Sequence, residues 1–188
     1  ISAEPGDTSE EAYGIAIDIG TSKILGYLTN LINGNLVTIG SLENPQTVHG
    51  EDVISRISFA SQKEGSLKKM QKLAVEGINN VVQQVCKKSK CVPEHIYEMT
   101  VVGNTAMHHL FLGIQPKYLG TSPYVPVVSD AINVKARELS VHVNPNANIH
   151  LPPVIAGFVG ADAIADIIST GIYNSNQLSL VVDIGTNT

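Results

Sequence analysis

Tryptophan is absent from this 188-residue sequence, and aromatic residues make up only 5% of it. Proteins that bind single-stranded nucleic acid stack the bases on aromatic side chains. The formal net charge of −5 also leaves no basic surplus to neutralise a phosphate backbone. We therefore expect no nucleic-acid partner.

Cysteine is also scarce, because the sequence contains only Cys86 and Cys91. Two cysteines exclude a disulfide-stapled scaffold. They are also too few to hold an iron–sulfur cluster by themselves. We expect both to be reduced structural thiols, as is usual in the cytoplasm.

Long apolar runs are missing as well. No stretch reaches the roughly 20 apolar residues that a membrane-spanning helix needs, and the acidic, polar start of the chain lacks the pattern of a signal peptide. Hydrophobic residues nevertheless make up 43% of the sequence and charged residues 15%, which excludes a disordered chain. We expect a folded cytoplasmic protein that has no membrane partner.

The chain divides into three segments by composition. Residues 1–12 are acidic and polar, which indicates a solvated linker. Residues 13–172 alternate between apolar β-branched runs and helical periods, and we expect them to form one lobe. Residues 173–188 are expected to be the start of a second lobe that is truncated in this sequence.

Apolar periodicity predicts an α/β fold. Strands are predicted at 13–19, 22–30, 35–42, 96–103, near 139–143, at 153–160 and at 178–188. Helices are predicted after Glu51 and at 66–88, 105–113 and 161–172. The Asn33-Gly34 dipeptide is typical of a hairpin turn. An antiparallel meander followed by strands with helical crossovers indicates a mixed five-stranded sheet with helices on both faces.

One short pattern occurs twice, near each end of the chain. IAIDIGTSK at 15–23 matches LVVDIGTNT at 180–188, and each copy is an apolar strand followed by Asp-Ile-Gly-Thr. A glycine directly after a strand lets backbone N–H groups approach a phosphate closely. One copy alone is equally consistent with a strand that ends in an Asx turn. Two copies favour a clamp around the polyphosphate of a nucleoside triphosphate.

The clamp assigns roles to particular residues. Phosphate contacts are expected from Gly20, Thr21, Ser22, Gly185, Thr186 and Asn187, with positive charge from Lys23. Asp18 and Asp183 are expected to hold waters of a magnesium ion, because Mg²⁺ prefers carboxylates together with water.

The paired turns resemble those of the actin-like ATPase superfamily, which includes sugar kinases, acetate kinases and heat-shock chaperones. The order of elements is similar to the first, ribonuclease H-like lobe of that fold. The resemblance implies that the helix at 161–172 links two lobes, and that Asp162 positions the water that attacks the γ-phosphate. The alternative for Asp162 is a carboxylate that only stabilises a helix N-terminus. Asn104 is either a polar group of the same cleft or an N-cap.

A narrower resemblance covers most of residues 13–188. NPQTVHGEDVISRI at 44–57, TVVGNTAMHHLFLG at 100–113 and PPVIAGFVGADAIADI at 152–167 are similar to the actin-like domain of reductive activators of corrinoid proteins. The resemblance implies ATP and Mg²⁺ as cofactors, and a corrinoid protein or corrinoid methyltransferase as partner. Such activators return cobalt(II) to cobalt(I) with an electron from an iron–sulfur cluster. That cluster is expected only in an N-terminal part outside this sequence.

Three functions stay open at this point. The first is a piece of an ATP-dependent corrinoid activator, whose intact form is expected to be an ATPase while this piece alone is inactive. The second is a small-molecule kinase of the same superfamily, and the third is a non-catalytic interaction module. The apolar run within 178–188, which lacks the rest of its lobe, predicts either self-association through that segment or a poorly ordered segment.

Overall fold

The computed structural model describes residues 6–8, 11–183 and 185. Six strands form one sheet in the order β3-β2-β1-β4-β6-β5. They are β1 (Tyr13–Ile19), β2 (Lys23–Asn30), β3 (Leu36–Glu43), β4 (Ile96–Gly103), β5 (Ile132–Lys135) and β6 (Asn148–Leu151). The α-helices are α1 (Val53–Gln62), α2 (Ser66–Ser89), α3 (Thr105–Leu112) and α4 (Ala161–Thr170), and a 3₁₀ helix spans Pro45–His49.

The first three strands form the predicted antiparallel meander. β1 pairs with β2 in a register that places Asp18 opposite Leu25, and β2 pairs with β3. The turn between β2 and β3 contains Gly34 at a φ of +74°, a conformation that glycine adopts without steric cost. The Asn-Gly signal in the sequence therefore identified this hairpin.

The two crossovers make the sheet mixed. β4 runs parallel to β1 after α1 and α2, and β6 runs parallel to β4 after α3, whereas β5 is antiparallel to β6. The predicted fold class is confirmed, but the sheet has six strands where five were expected. Parallel pairing is thus limited to the two central strand pairs, β1–β4 and β4–β6.

Three predicted strands are wrong. Residues 139–143 and 153–160 are irregular, and the two short strands lie at β5 and β6 instead. Val141 and Val143 are buried in the core without a strand, which explains why their apolar character was misleading. Residues 178–183 form no strand either, and Leu178 is fully exposed.

The predicted helical cover on both faces is only partly present: α1, α2 and α3 lie on one face of the sheet, whereas Ala16 and Tyr27 are exposed on the other. Ile15, Ile17 and Ile19 point to the face on which α2 packs, where they join a continuous buried core. Successive side chains of a strand point to opposite faces, so Asp18 points to the other face, where α4 lies near the end of β4. None of the helices in the described residues is long and apolar enough to cross a membrane.

Candidate functional site

The turn between β1 and β2 is built around Gly20. A Cβ atom at this position would lie 2.8 Å from the carbonyl oxygen of Lys23, closer than packed atoms normally approach. The chain can therefore reverse within residues 20–22 only because Gly20 has no side chain. We call residues 20–22 the phosphate turn, after its predicted role.

Asn104 connects a second strand end to the phosphate turn. It is the N-cap of α3, and its side-chain oxygen accepts a hydrogen bond of 3.0 Å from the backbone N–H of Met107. Its amide nitrogen also donates to the Thr21 hydroxyl oxygen at 3.3 Å. The two alternatives for Asn104 are therefore not exclusive, because one side chain both caps the helix and lies at the cleft.

The N-terminus of α4 is held against the same place by close backbone packing. Gly160 is the residue before the helix, and a Cβ atom there would lie 2.5 Å from Asn104 Cα and 2.7 Å from Thr105 N. Only glycine permits this approach. The contact fixes Asp162, in the first turn of α4, across the cleft from the end of β1.

These elements enclose a cleft of about 1040 Å³, at the upper end of the usual size for small-molecule sites. It brings together the described residues that the sequence predicted, namely Asp18, Gly20, Thr21, Ser22, Lys23, Asn104, Asp162, Asp183 and Gly185. Thr186 and Asn187 lie outside the described residues. The predicted roles of all these residues stay predictions.

The cleft is strongly acidic. Burial raises the pKa of the Asp18 carboxyl to about 6, and the charges of Asp162, Asp166 and Asp183 raise it further in the same direction. Burial also raises the pKa of Asp162, although a hydrogen bond of 2.8 Å from the Ala163 N–H opposes this effect. Mutual repulsion among these carboxylates is therefore part of the site.

The carboxylates suit a hydrated divalent cation. No group of three metal-ligating side chains lies close enough to enclose an ion among the described residues. Mg²⁺ does not require one, since it usually keeps several waters and binds one or two carboxylates together with substrate phosphates. A carboxyl with a pKa raised by neighbouring negative charges is a group that a cation stabilises. The donor set therefore fits Mg²⁺ held mainly through water.

Two acidic residues of the cleft were missed by the sequence analysis as site residues. Asp166 follows Asp162 by four positions on α4, so helical periodicity alone places both carboxylates on one face. Asp52 also lines the cleft, where it caps α1 by accepting from the Ser55 N–H at 2.7 Å. This bond lowers the pKa of Asp52.

The remaining titratable candidates lie away from the cleft. The His109 ring donates to the carbonyl oxygen of Thr105 and accepts from the Val127 N–H, so it packs within the fold. Burial lowers the pKa of His108 to about 4. Cys86 and Cys91 are free thiols whose sulfur atoms lie 3.2 Å apart.

Comparison with known proteins gives consistent matches over most of the chain. A family model described as the RACo middle region matches residues 13–175. Corrinoid activation enzyme RamQ of Eubacterium limosum is 38% identical over 93% of this chain and 29% of its own length. A [Co(II) methylated amine-specific corrinoid protein] reductase of Methanosarcina barkeri is 28% identical over 93% of this chain and 33% of its own.

A solved structure agrees with the sequence matches. The reductive activator for a corrinoid, iron–sulfur protein superposes with a TM-score of 0.93 and 35% identity, over 96% of this chain and 29% of that one. The chain thus spans about a third of the length of the relatives it matches.

Proposed function

The chain belongs to the family of the RACo middle region, and from this membership we propose that it is part of an ATP-dependent reductive activator of a corrinoid methyl-transfer protein. In this proposal it supplies half of the phosphate-binding cleft. The iron–sulfur cluster is carried by another part of the intact protein, because the two cysteines of this chain are too few to hold one.

One observation carries the proposal. Both copies of the Asp-Ile-Gly pattern contribute to the same cleft, Asp18 and Gly20 from the first and Asp183 and Gly185 from the second. Two glycines that line a common space, each two residues after a carboxylate, suit a polyphosphate with its cation.

The residues of the cleft divide the chemistry among them. Backbone N–H groups and hydroxyls of the phosphate turn bind phosphate oxygens, and Lys23 adds positive charge. Asp18 and Asp183 hold waters of Mg²⁺, which when bound neutralises charge on the phosphates. Asp162 orients the attacking water. Phosphoryl transfer requires mainly positioning and electrostatic stabilisation, and this arrangement supplies both.

In this proposal ATP acts on the partner indirectly, because it binds one conformation of the activator more tightly than another. A ligand shifts an equilibrium only by the difference in its affinity for two states. We propose that ATP favours the state of the activator that binds the cobalt(II) corrinoid protein, and that hydrolysis releases it. The electron that reduces cobalt(II) to cobalt(I) comes from the cluster, which an external reductant refills.

The test uses the intact protein with Mg-ATP, a reductant and a cobalt(II) corrinoid protein. The proposal expects cobalt(I), followed by its absorption spectrum, only when ATP is present. Phosphorylation of a small molecule instead would indicate a kinase. Neither reaction, with ATP unbound, would indicate an interaction module and overturn the proposal.

A further inference from the structure

A buried guanidinium lies directly behind the phosphate turn. Arg56 of α1 is fully buried, and its Nη2 donates to the carbonyl oxygen of Thr21 at 2.5 Å. Its Nε donates to the carbonyl oxygen of Gly50 at 2.8 Å, and its Nη1 contacts Met107 Sδ at 3.3 Å. The side chain therefore joins α1, the 3₁₀ helix region and α3 to the back of the turn.

Asn44 makes a similar contact with Gly20, the residue that precedes Thr21. Its side-chain nitrogen donates to the carbonyl oxygen of Gly20 at 2.8 Å, and its side-chain oxygen accepts from the Gln46 N–H at 3.0 Å. Asn44 is also fully buried. Two consecutive carbonyl groups of the turn are thus drawn to the same, buried side.

This arrangement fixes the direction of the next two N–H groups. In a planar trans peptide, the C=O and the N–H point in opposite directions. The Gly20 carbonyl points to Asn44, so the Thr21 N–H points away from it, and the same holds for the Ser22 N–H relative to Arg56. Thr21 and Ser22 line the cleft, so the bonds from behind orient donors toward it.

The charge of Arg56 is unusual for its surroundings. Among the described residues it forms no ion pair, and its hydrogen-bond acceptors are two backbone carbonyls and a thioether. Burial lowers its pKa to about 10, so it stays charged at neutral pH. Burial of a cation is costly; the negative charge of Asp52 offsets part of this cost, and a polyphosphate on the other side of a three-residue turn is a further anion that offsets it.

We propose that Arg56 and Asn44 are positioning residues that orient the peptide groups of the phosphate turn, and that Arg56 makes affinity increase with the number of phosphates on the ligand. The proposal rests on the proposed function of the cleft. Preorganised backbone donors gain most where charge is largest, so a triphosphate should depend on this support more than a monophosphate.

Three variants of the intact protein test the two contacts. Arg56→Met removes the charge and keeps an unbranched side chain beside Met107. Arg56→Lys keeps the charge but loses the fork of donors. Asn44→Ser keeps an acceptor for Gln46, since serine also caps well, and loses the amide donor to Gly20 without adding a charge.

The measurement is calorimetric titration with ATP, ADP and AMP in Mg²⁺ buffer. We expect Arg56→Met and Asn44→Ser to weaken ATP binding at least about tenfold, because bonds from charged or buried donors carry that much free energy. The loss should decrease from ATP to ADP to AMP. Arg56→Lys should recover part of the dependence on phosphate number.

Lys63→Met is the matched control. It removes one positive charge directly after the same helix, at an exposed position roughly 10 Å along the helix from Arg56. It should leave the affinities for all three nucleotides unchanged.

The outcomes separate this proposal from the one on which it rests. If the unmodified protein binds no ATP, the proposed function fails. If it binds ATP and the variants bind as well as it does, or lose equal factors for ATP, ADP and AMP, only the positioning role is overturned. A melting curve identifies any variant that does not fold, in which case Asn44→Ser and Arg56→Lys decide.

Discussion

The two Asp-Ile-Gly copies have nearly the same sequence but very different structural support. The first follows β1, a strand paired on both sides, and its turn is tied to Asn44, Arg56 and Asn104. The second follows residues 178–182, which pair with none of the six strands and are exposed along their length. Nearly the same motif thus follows a paired strand in one place and an unpaired, exposed segment in the other.

The difference shows that the motif does not specify its own structure. A strand requires neighbours that satisfy its N–H and C=O groups, and the first copy finds them in β2 and β4. Its turn also requires donors from behind, which come from residues distant in sequence. The turn is therefore a property of the surrounding fold rather than of four residues.

Loss of the carboxylate of Asp18 or of Asp183 should have the largest effect, and this effect should be on the rate of ATP hydrolysis. We expect Asp18→Ala and Asp183→Ala in the intact protein to reduce Mg-ATP use at least about tenfold each, because a charge at a metal or phosphate contributes several kcal/mol to the transition state. ATPase rates measure this, and exposed Asp130→Ala is the control. Unchanged rates in both variants would exclude the assignment of the two turns to phosphate.

A glycine-to-alanine substitution should affect the free energy of unfolding differently in the two copies. We expect Gly20→Ala to lower the free energy of unfolding of this chain by about 1–3 kcal/mol, as overpacking usually does, since its Cβ would meet the carbonyl of Lys23. At Gly185 a Cβ meets no atom of the described residues within 4 Å, so Gly185→Ala should change little. Urea denaturation compares them, and equal losses would contradict the asymmetry.

The carboxyl group of Asp18, in the first copy, should make the stability of the folded chain depend on pH. The folded pKa of Asp18 is about 6 against 3.8 for the ordinary side chain, so the folded chain holds its proton more tightly and the contribution of Asp18 to stability falls as pH rises through this window. We expect Asp18→Asn to be more stable than the original chain at pH 7 by about 1–2 kcal/mol, with no difference below pH 3.8.

Thermal unfolding across pH measures this difference. Asp183→Asn is the comparison, because it removes one of the charges that raise the pKa of Asp18 and should give a smaller gain of the same sign. A stability difference that did not vary with pH would contradict the origin assigned to it.

Removal of the second copy should have the smallest effect on the stability of the folded chain. Leu178 and Leu180 are 105% and 84% exposed, and exposed apolar segments without strand partners associate with other chains. We expect deletion of residues 174–188 to abolish self-association and to change the free energy of unfolding by less than about 0.5 kcal/mol. Light scattering follows the first and urea denaturation the second.

A double variant controls for chain length. Leu178→Ser with Leu180→Ser keeps all residues and removes the apolar surface, so it should also be monomeric. If the unmodified chain is already a monodisperse monomer, the predicted association through 178–188 is wrong.

The sequence predicted those elements whose signal is local. α2 has an apolar period over roughly five turns, and the β2–β3 hairpin has an Asn-Gly turn, so both were found. β5 and β6 have four residues each and are stabilised by pairing with distant strands, which no local pattern records. Residues 178–183 show the opposite case, since a strong apolar run forms no strand where it lacks partners.

The residues of the site also divide into those with a local sequence signal and those that depend on distant contacts. The glycines and carboxylates of the cleft were predicted because the pattern repeats, whereas the bonds from Arg56 and Asn44 depend on how α1 and the 3₁₀ helix lie against the sheet. No local pattern in the sequence assigns Asn44 or Arg56 to the site. Their contacts with Gly20 and Thr21 cross 24 and 35 residues of sequence, so their role required the fold.

The contact between Gly160 and the backbone at Asn104 has a mechanical consequence. Side chains between two packed elements change rotamer and absorb small displacements, but here main chain meets main chain. Close-packed interiors transmit strain, so a shift of α4 must displace Asn104, which is bonded to the Thr21 hydroxyl. A displacement of α4 is therefore transmitted directly to the phosphate turn, because no flexible side chain lies between the two backbones to absorb it.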